Sequence, residues 1–197
     1  MNIVGIDEVG RGPLAGPVTV GIVCCESKIY QKLKRDASLP PLGKDSKKLK
    51  PKDREKFEKV LKKLSKLEQL SYSVVHIGNK TIDSKGLSFS IKKAIEKGIF
   101  NLKINSKSCQ VLLDGGLHAP ENFKKQKTII KGDEKERIIA WASILAKVSR
   151  DALMTRMSKK YPKYGFEFHK GYGTVKHLQT IQVHGLSRIH RASFNSG

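Results

Sequence analysis

Along the first third of the chain the apolar residues come in short strand-like stretches, and only after residue 50 do they take up helical spacing. Ile3, Val4 and Ile6 predict a short buried strand that delivers Asp7 and Glu8 to its carboxyl end. Past a turn carrying Gly10, Gly12 and Gly16, Val18 to Cys24 predicts a second strand, close enough in sequence to pair antiparallel with the first. Residues 27–50, with Pro40, Pro41 and Gly43, read as loop-rich. Pro51 stands at a helix-start position, and Phe57, Val60, Leu61, Leu64 and Leu67 follow at helical spacing, although Lys50 offers no capping oxygen. Leu70 to Ile77 reads as a third strand. Ile82 to Lys103 reads as one helix, with Leu87, Ile91, Ala94, Ile95, Gly98, Ile99 and Leu102 on one face. Gln110 to Asp114 and Lys127 to Lys131 are two further short strands, followed by a long helix from Ile138 to Met157 and a short one from Val175 to about Val183. Strand, strand, helix, strand, helix, strand, strand, long helix is the order of an α/β domain.

With 197 residues, 38% of them hydrophobic, the chain fits a single domain, residues 1–197, with a real core. There is no internal repeat, no interdomain linker and no apolar run long enough to span a membrane. Met1 leads straight into the first strand without a charged and apolar leader, so the chain reads as cytoplasmic. Charge changes the picture more. Against 39 basic residues stand 18 acidic ones, and a net +21 spread along the whole chain implies a basic face on a globule that meets a polyanion. Nucleic acid is the leading partner and an anionic membrane surface the trailing one; charge alone does not separate a nuclease from a ribosomal or architectural protein. Cys24, Cys25 and Cys109 have no C-x-x-C spacing and the histidines form no H-x-x-x-H pair, which argues against zinc and against a disulfide framework. Cys24 and Cys25, at the end of an apolar strand, are expected to be packing residues.

In so basic a chain, two adjacent carboxylates at a strand end need a reason. Asp7 and Glu8 make either a solvated turn or a divalent metal site, since hard cations take carboxylate oxygens and offset the repulsion between neighbouring anions. A regular strand sends the two side chains to opposite faces, so a shared site calls for a bend there. Asp114 repeats the arrangement before Gly115, and Asp133 follows the next strand after Gly132, where it would equally serve as a helix N-cap. The glycines at 10, 12 and 16 do not have dinucleotide-fingerprint spacing, and Gly43-Lys44-Asp45-Ser46-Lys47 lacks the first glycine and the Lys-Ser/Thr pair of a phosphate loop.

The string from Gly5 to Pro17, Gly-Ile-Asp-Glu-Val-Gly-Arg-Gly-Pro-Leu-Ala-Gly-Pro, resembles the opening of the type-2 ribonucleases H. Asp45-Ser46-Lys47-Lys48-Leu49, Lys131-Gly132-Asp133, Ala142 to Asp151, the segment Tyr164 to Thr174 and Ile189 to Phe194 resemble later family segments in the same order. The resemblance implies a ribonuclease-H-like fold, a mixed five-stranded sheet flanked by helices. It implies an endoribonuclease that hydrolyses the RNA strand of RNA/DNA hybrids and incises 5′ of ribonucleotides embedded in duplex DNA, leaving 3′-hydroxyl and 5′-phosphate ends. Asp7, Glu8, Asp114 and Asp133 would hold two divalent ions, Mg²⁺ or Mn²⁺. Ser46 and Lys47 would grip a phosphate, Gly10, Arg11 and Gly12 would lay backbone against the ribonucleotide, and the ring of Tyr172 would stack on the sugar that follows it. Trp141 stands where the family has a small residue, which leaves the packing of the long helix open. Asp151, several turns beyond Asp133, is expected to pair with Arg150 or a neighbouring lysine and is left out of the metal set. The extra N-terminal domain of type-3 enzymes and a clamp-binding C-terminal tail are not seen, and a monomer is expected. The rival readings are a non-catalytic basic module for double-stranded nucleic acid or ribosomal RNA, and another ribonuclease-H-like enzyme such as a type-3 enzyme or a resolvase.

Overall fold

The computed structural model describes residues 1–40 and 49–194. Five strands, β1 (Asn2–Val9), β2 (Val18–Glu26), β3 (Ser71–Ile77), β4 (Cys109–Asp114) and β5 (Gln126–Ile129), form one sheet in the order β3-β2-β1-β4-β5. β2 is antiparallel to both β1 and β3, whereas β4 runs parallel to both β1 and β5. The sheet is therefore mixed, as expected. Residues 10–17 join β1 to β2 directly, a connection too short for a parallel crossover.

The helices are α1 (Ser27–Leu33), α2 (Pro51–Lys66), α3 (Asn79–Lys85), α4 (Leu87–Asn101), α5 (Gly132–Lys135), α6 (Arg137–Lys160), α7 (Phe166–His169) and α8 (Val175–His184). They cover both faces of the sheet. Val4, Ile6, Val20, Ile22 and Val75 meet Ile91, Ala94, Ile95 and Ile99 of α4 on one face. Val23, Cys25 and Leu112 meet Tyr30 of α1, Leu61 of α2 and Ile138, Trp141, Ala142 and Leu145 of α6 on the other. Because side chains alternate along a strand, Asp7 shares the α6 face with Ile3 and Gly5. Helix α6 lies unusually close to that face. A Cβ at Gly5 would fall 2.3 Å from the carbonyl oxygen of Ile138, and one at Gly21 would fall 2.2 Å from that of Ala142. These two glycines let the helix backbone rest on β1 and β2, and so bring Ser143, next after Ala142, beside Asp7.

Two segments differ from the sequence expectation. Residues 27–33, read as loop, form α1, which buries Tyr30 and Leu33. The helix leaves β2 directly, its N-cap residue Glu26 makes no side-chain capping bond, and so the usual start signal is missing. The single helix expected over 82–103 is two helices, α3 and α4, divided at Gly86, whose φ of 83° and ψ of 164° suit glycine and strain any other residue. Trp141, in place of a small residue, is fully buried and meets Tyr30 edge-on with ring centroids 5.6 Å apart, so α1 and the tryptophan fill the same layer without interrupting α6. Its Nε1 has no hydrogen-bond partner among the described residues. The cysteines are buried and unpaired, and burial pushes the thiols of Cys24 and Cys25 up to about 11 and about 12, which fits the expected packing role. No helix among the described residues is long and apolar enough to cross a membrane.

Candidate active site

Strand register builds the acidic cluster. Ile6 pairs with Leu113 in the parallel β1–β4 ladder, so the next residue of each strand, Asp7 and Asp114, emerges at neighbouring carboxyl ends. This is the edge at which open α/β sheets place their ligands. One carboxylate oxygen from each of Asp7, Glu8 and Asp114 can be chosen so that all three lie within 4.8 Å of one another. The bend expected between Asp7 and Glu8 is absent: β1 stays in register with β2 as far as the Val9–Thr19 pair. Strand β4 ends at Asp114, so Glu8 lies past its end, and the longer glutamate side chain joins the cluster from a regular strand.

Asp7 is only 5% exposed. Burial pushes its carboxyl well above the ordinary carboxylate range, and the charges of Glu8 and Asp114 push the same way; hydrogen bonds from Ser143 and from the Glu8 amide, the latter 2.7 Å, act against them. Glu8 is held through one oxygen, Oε1, by Arg11 Nη1 at 2.9 Å. Its other oxygen, Oε2, is buried and has no hydrogen-bond partner among the described residues. Asp114 Oδ1 accepts from the Gly132 amide at 2.5 Å, which ties the end of β4 to the start of α5. Three clustered carboxylates, with a buried, unsatisfied oxygen on Glu8 and a raised proton affinity at Asp7, form a site that favours a hard divalent cation, which would replace the repulsion with coordination.

Asp133 stands on α5. Together with Glu8, Arg54, Ser143 and Lys147 it lines a cavity of about 190 Å³, although it is not one of the three residues of the tight cluster. It does not cap the long helix, since Glu136 occupies that position. Ser46 and Lys47 lie outside the described residues. Asp151 pairs with a lysine, as one of the two expected partners: Lys147 Nζ lies 2.8 Å from its Oδ1.

The other expected contact residues sit on two loops held against each other. Gly10 has a φ of 88°, and a Cβ there would lie 2.4 Å from Arg150 Nε; Arg11 and Gly12 are exposed. The amides of Leu14 and Ala15 donate to the Gly171 carbonyl at 2.8 and 3.3 Å, bringing the glycine turn next to Tyr172. The Tyr172 ring is 39% exposed, with the Arg150 guanidinium carbon 5.8 Å and Lys147 Nζ 6.0 Å from its centroid.

From the sequence, the residues that hold these loops are not expected to do so: Arg150 stands only as a candidate partner of Asp151, and Arg191 only within a segment that resembles the family. Arg150 is fully buried and donates through Nε to the Pro17 carbonyl, through Nη1 to that of Lys170 and through Nη2 to that of Ala15, at 2.9, 3.0 and 3.2 Å. Arg191, equally buried, donates through Nε to Gly16, through Nη1 to Arg11 and through Nη2 to Gly10, at 3.0, 2.8 and 2.6 Å. Spacing gave a signal for the first, since Ala142, Ala146, Arg150 and Met154 recur every four residues on a buried stripe of α6. A pair of neutral histidines braces the Tyr172 backbone. The Ser187 amide donates to His190 Nδ1 at 2.8 Å, which leaves the His190 proton on Nε2, facing His177 Nε2 at 3.0 Å; His177 then donates from Nδ1 to the Tyr172 carbonyl at 2.9 Å. Burial first and His177 second push His190 down to about 4, so this relay stays uncharged at neutral pH.

The ribonuclease HII family model matches residues 4–196. Ribonuclease HII of Caldicellulosiruptor bescii is 44% identical over 193 residues, covering 98% of this chain and 85% of that protein. The crystal structure of ribonuclease H2 from Pyrococcus horikoshii OT3 is similar with a TM-score of 0.72, at 25% identity and with all of both chains covered. The fold is also shared by Bst-RNase HIII, described in complex with Mn²⁺, at a TM-score of 0.68 and 16% identity over 94% of this chain and 63% of that one.

Proposed function

The chain belongs to the ribonuclease HII family, ribonucleases H that cut the RNA of RNA/DNA hybrids, and from that membership we propose that it also incises duplex DNA 5′ of embedded ribonucleotides. The proposed substrate site runs from the carboxylate cluster to Tyr172. Asp7, Glu8 and Asp114, with Asp133 from α5, would hold two divalent cations, Mg²⁺ or Mn²⁺. The observation that carries this reading is the meeting of Asp7, Glu8 and Asp114 within 4.8 Å in a protein of net charge +21. A purely electrostatic nucleic-acid module gains nothing from three clustered carboxylates, one of them buried, facing its phosphate partner.

Bound divalent ions would supply a water of lowered pKa and neutralise charge that develops on the phosphate. The chain's own groups do the rest. Ser143 orients the Asp7 carboxylate, Arg11 holds one oxygen of Glu8 and leaves the other without a hydrogen bond among the described residues, and the Gly132 amide fixes Asp114. Gly10, Arg11 and Gly12, the last two exposed, are proposed to lay backbone against the ribonucleotide and read its 2′-hydroxyl, the group that separates RNA from DNA. Ser46 and Lys47 are proposed to grip a neighbouring phosphate.

A DNA duplex carrying one ribonucleotide tests the reading. Cleavage on the 5′ side of the ribonucleotide, dependent on added Mg²⁺ or Mn²⁺ and leaving a 3′-hydroxyl and a 5′-phosphate, is expected; metal-independent binding with no cut would favour the basic module. Charge provides a second test. If several lysines and arginines neutralise phosphates, log K against log salt falls with a slope of roughly −0.9 per contact on B-form DNA. Titrations between low and physiological salt that gave a flat line would show that the +21 is not a binding surface.

A further inference from the structure

We infer that Arg191 and Arg150 are positioning residues that give the glycine turn its selectivity for a ribonucleotide, an inference that rests on the proposed reading of that turn. In a trans peptide the carbonyl of one residue and the N–H of the next point in opposite directions. Arg191 draws the carbonyls of Gly10 and Arg11 inward onto its two Nη groups, so the N–H groups of Arg11 and Gly12 face outward, where the chain is exposed. These two peptide planes lie past the end of β1, and among the described residues no strand or helix ladder sets them. The guanidinium fork, braced by a third bond from Nε to the Gly16 carbonyl, holds both carbonyls from one rigid plane.

Arg150 extends the frame to the second loop. Its three donors reach the carbonyls of Ala15, Pro17 and Lys170, so one buried side chain fixes the distance between the glycine turn and the loop carrying Tyr172. Gly10 leaves the room for it, since a Cβ at that position would meet the Arg150 Nε and Cδ at 2.4 and 2.9 Å. Two arginines thus hold six carbonyls of the recognition loops, and the turn is presented as a preformed pair of donors with little ordering left for the moment of binding.

The test measures affinity for a duplex with one ribonucleotide against the all-DNA duplex of the same sequence, in Ca²⁺, for the parent and for Arg191→Lys. Lysine keeps the charge but not the planar fork. The parent is expected to prefer the ribonucleotide duplex about tenfold, as two added hydrogen bonds allow, and Arg191→Lys to fall to within about twofold of no preference while keeping its affinity for all-DNA duplex. General destabilisation weakens both affinities together and leaves their ratio alone. A parent with no preference would refute the reading of the turn itself; a parent with the preference and a variant that keeps it would refute only the role of Arg191. Should Arg191→Lys not fold, amide exchange on the parent decides: the Arg11 and Gly12 amides are expected to be protected by the ribonucleotide duplex and not by the all-DNA duplex, and equal protection by both would overturn the inference.

Discussion

Asp7→Asn is expected to lose cleavage by about a thousandfold or more and, in metal-free buffer at neutral pH, to melt at a higher temperature than the parent. The loss follows from the site: coordination contributes several kcal/mol of charge stabilisation in the transition state, and an amide is a poor substitute for an anionic oxygen between two other carboxylates. The gain follows from linkage. Burial, Glu8 and Asp114 raise the folded-state pKa of Asp7 well above its unfolded value near 3.8, so the folded protein binds the Asp7 proton more tightly than the unfolded chain does. Stability therefore falls as pH rises from the unfolded pKa through the folded one, and above the folded pKa the full penalty is present. Asparagine removes that penalty, keeps a polar atom for Ser143 and abolishes the slope. Melting curves of both proteins from acid to neutral pH, with EDTA, should diverge as pH rises, and added Mg²⁺ should stabilise the parent more than the variant. Undiminished turnover by a well-folded Asp7→Asn protein would sink the metal-site assignment.

The same residues show which features of the fold a sequence can display. The acids at the carboxyl side of the strands were legible because hydrophobic runs stop at Asp7 and Asp114, although β1 itself continues to Val9, and a carboxylate there has few structural uses. Helix α1 was not, because it begins without a capping side chain and directly from a strand, so its Tyr30 and Leu33 stand in a stretch otherwise rich in turn formers. The division at Gly86 was visible only as a phase error: Ile82 and Leu87 are five residues apart, a spacing that a continuous helix does not keep on one face. The absent bend at Glu8 has a different origin. Alternation assigns a strand residue to a face, but at a strand end the neighbour on one side is gone and a long side chain can turn the corner. Arg150 and Arg191 escaped because a sequence shows the charge of an arginine and not the carbonyls that claim it. Their partners lie on the 10–17 turn and on Lys170, distant in the chain from Arg150 and, for the 10–17 turn, from Arg191. Trp141 was legible as a departure, yet only Tyr30, from the helix that went unread, explains how it fits.

Tyr172→Ala is expected to cut a duplex with a single ribonucleotide ten- to a hundredfold more slowly than the parent, and Tyr172→Phe to stay close to it. The backbone at this residue is over-determined: its amide donates to the His169 carbonyl at 2.9 Å, its carbonyl accepts from the Thr174 amide and from His177, and Gly171 lies so close to Ala15 that a Cβ would fall 2.4 Å from the Ala15 carbonyl oxygen. The ring is held less tightly. Arg150 and Lys147 of α6 lie near it and 39% of the residue is exposed, so packing on the helix and contact with a ligand are compatible uses of the same side chain. Lys147 also lines the cavity shared by Glu8 and Asp133, so the ring stands beside a residue of the carboxylate pocket, as the proposed stacking on the sugar after a ribonucleotide requires. By analogy with base stacking, an aromatic contact there is worth about 1–3 kcal/mol, the size of the expected loss, and it depends on the ring more than on the hydroxyl. Because the histidine relay and the Gly171 clamp act on the backbone, Tyr172→Ala should keep the parent's thermal stability. Equal cutting by Tyr172→Ala and the parent at unchanged stability would leave the ring with no part in recognition, whereas a loss shared equally by Tyr172→Phe would shift the role from the ring to its hydroxyl.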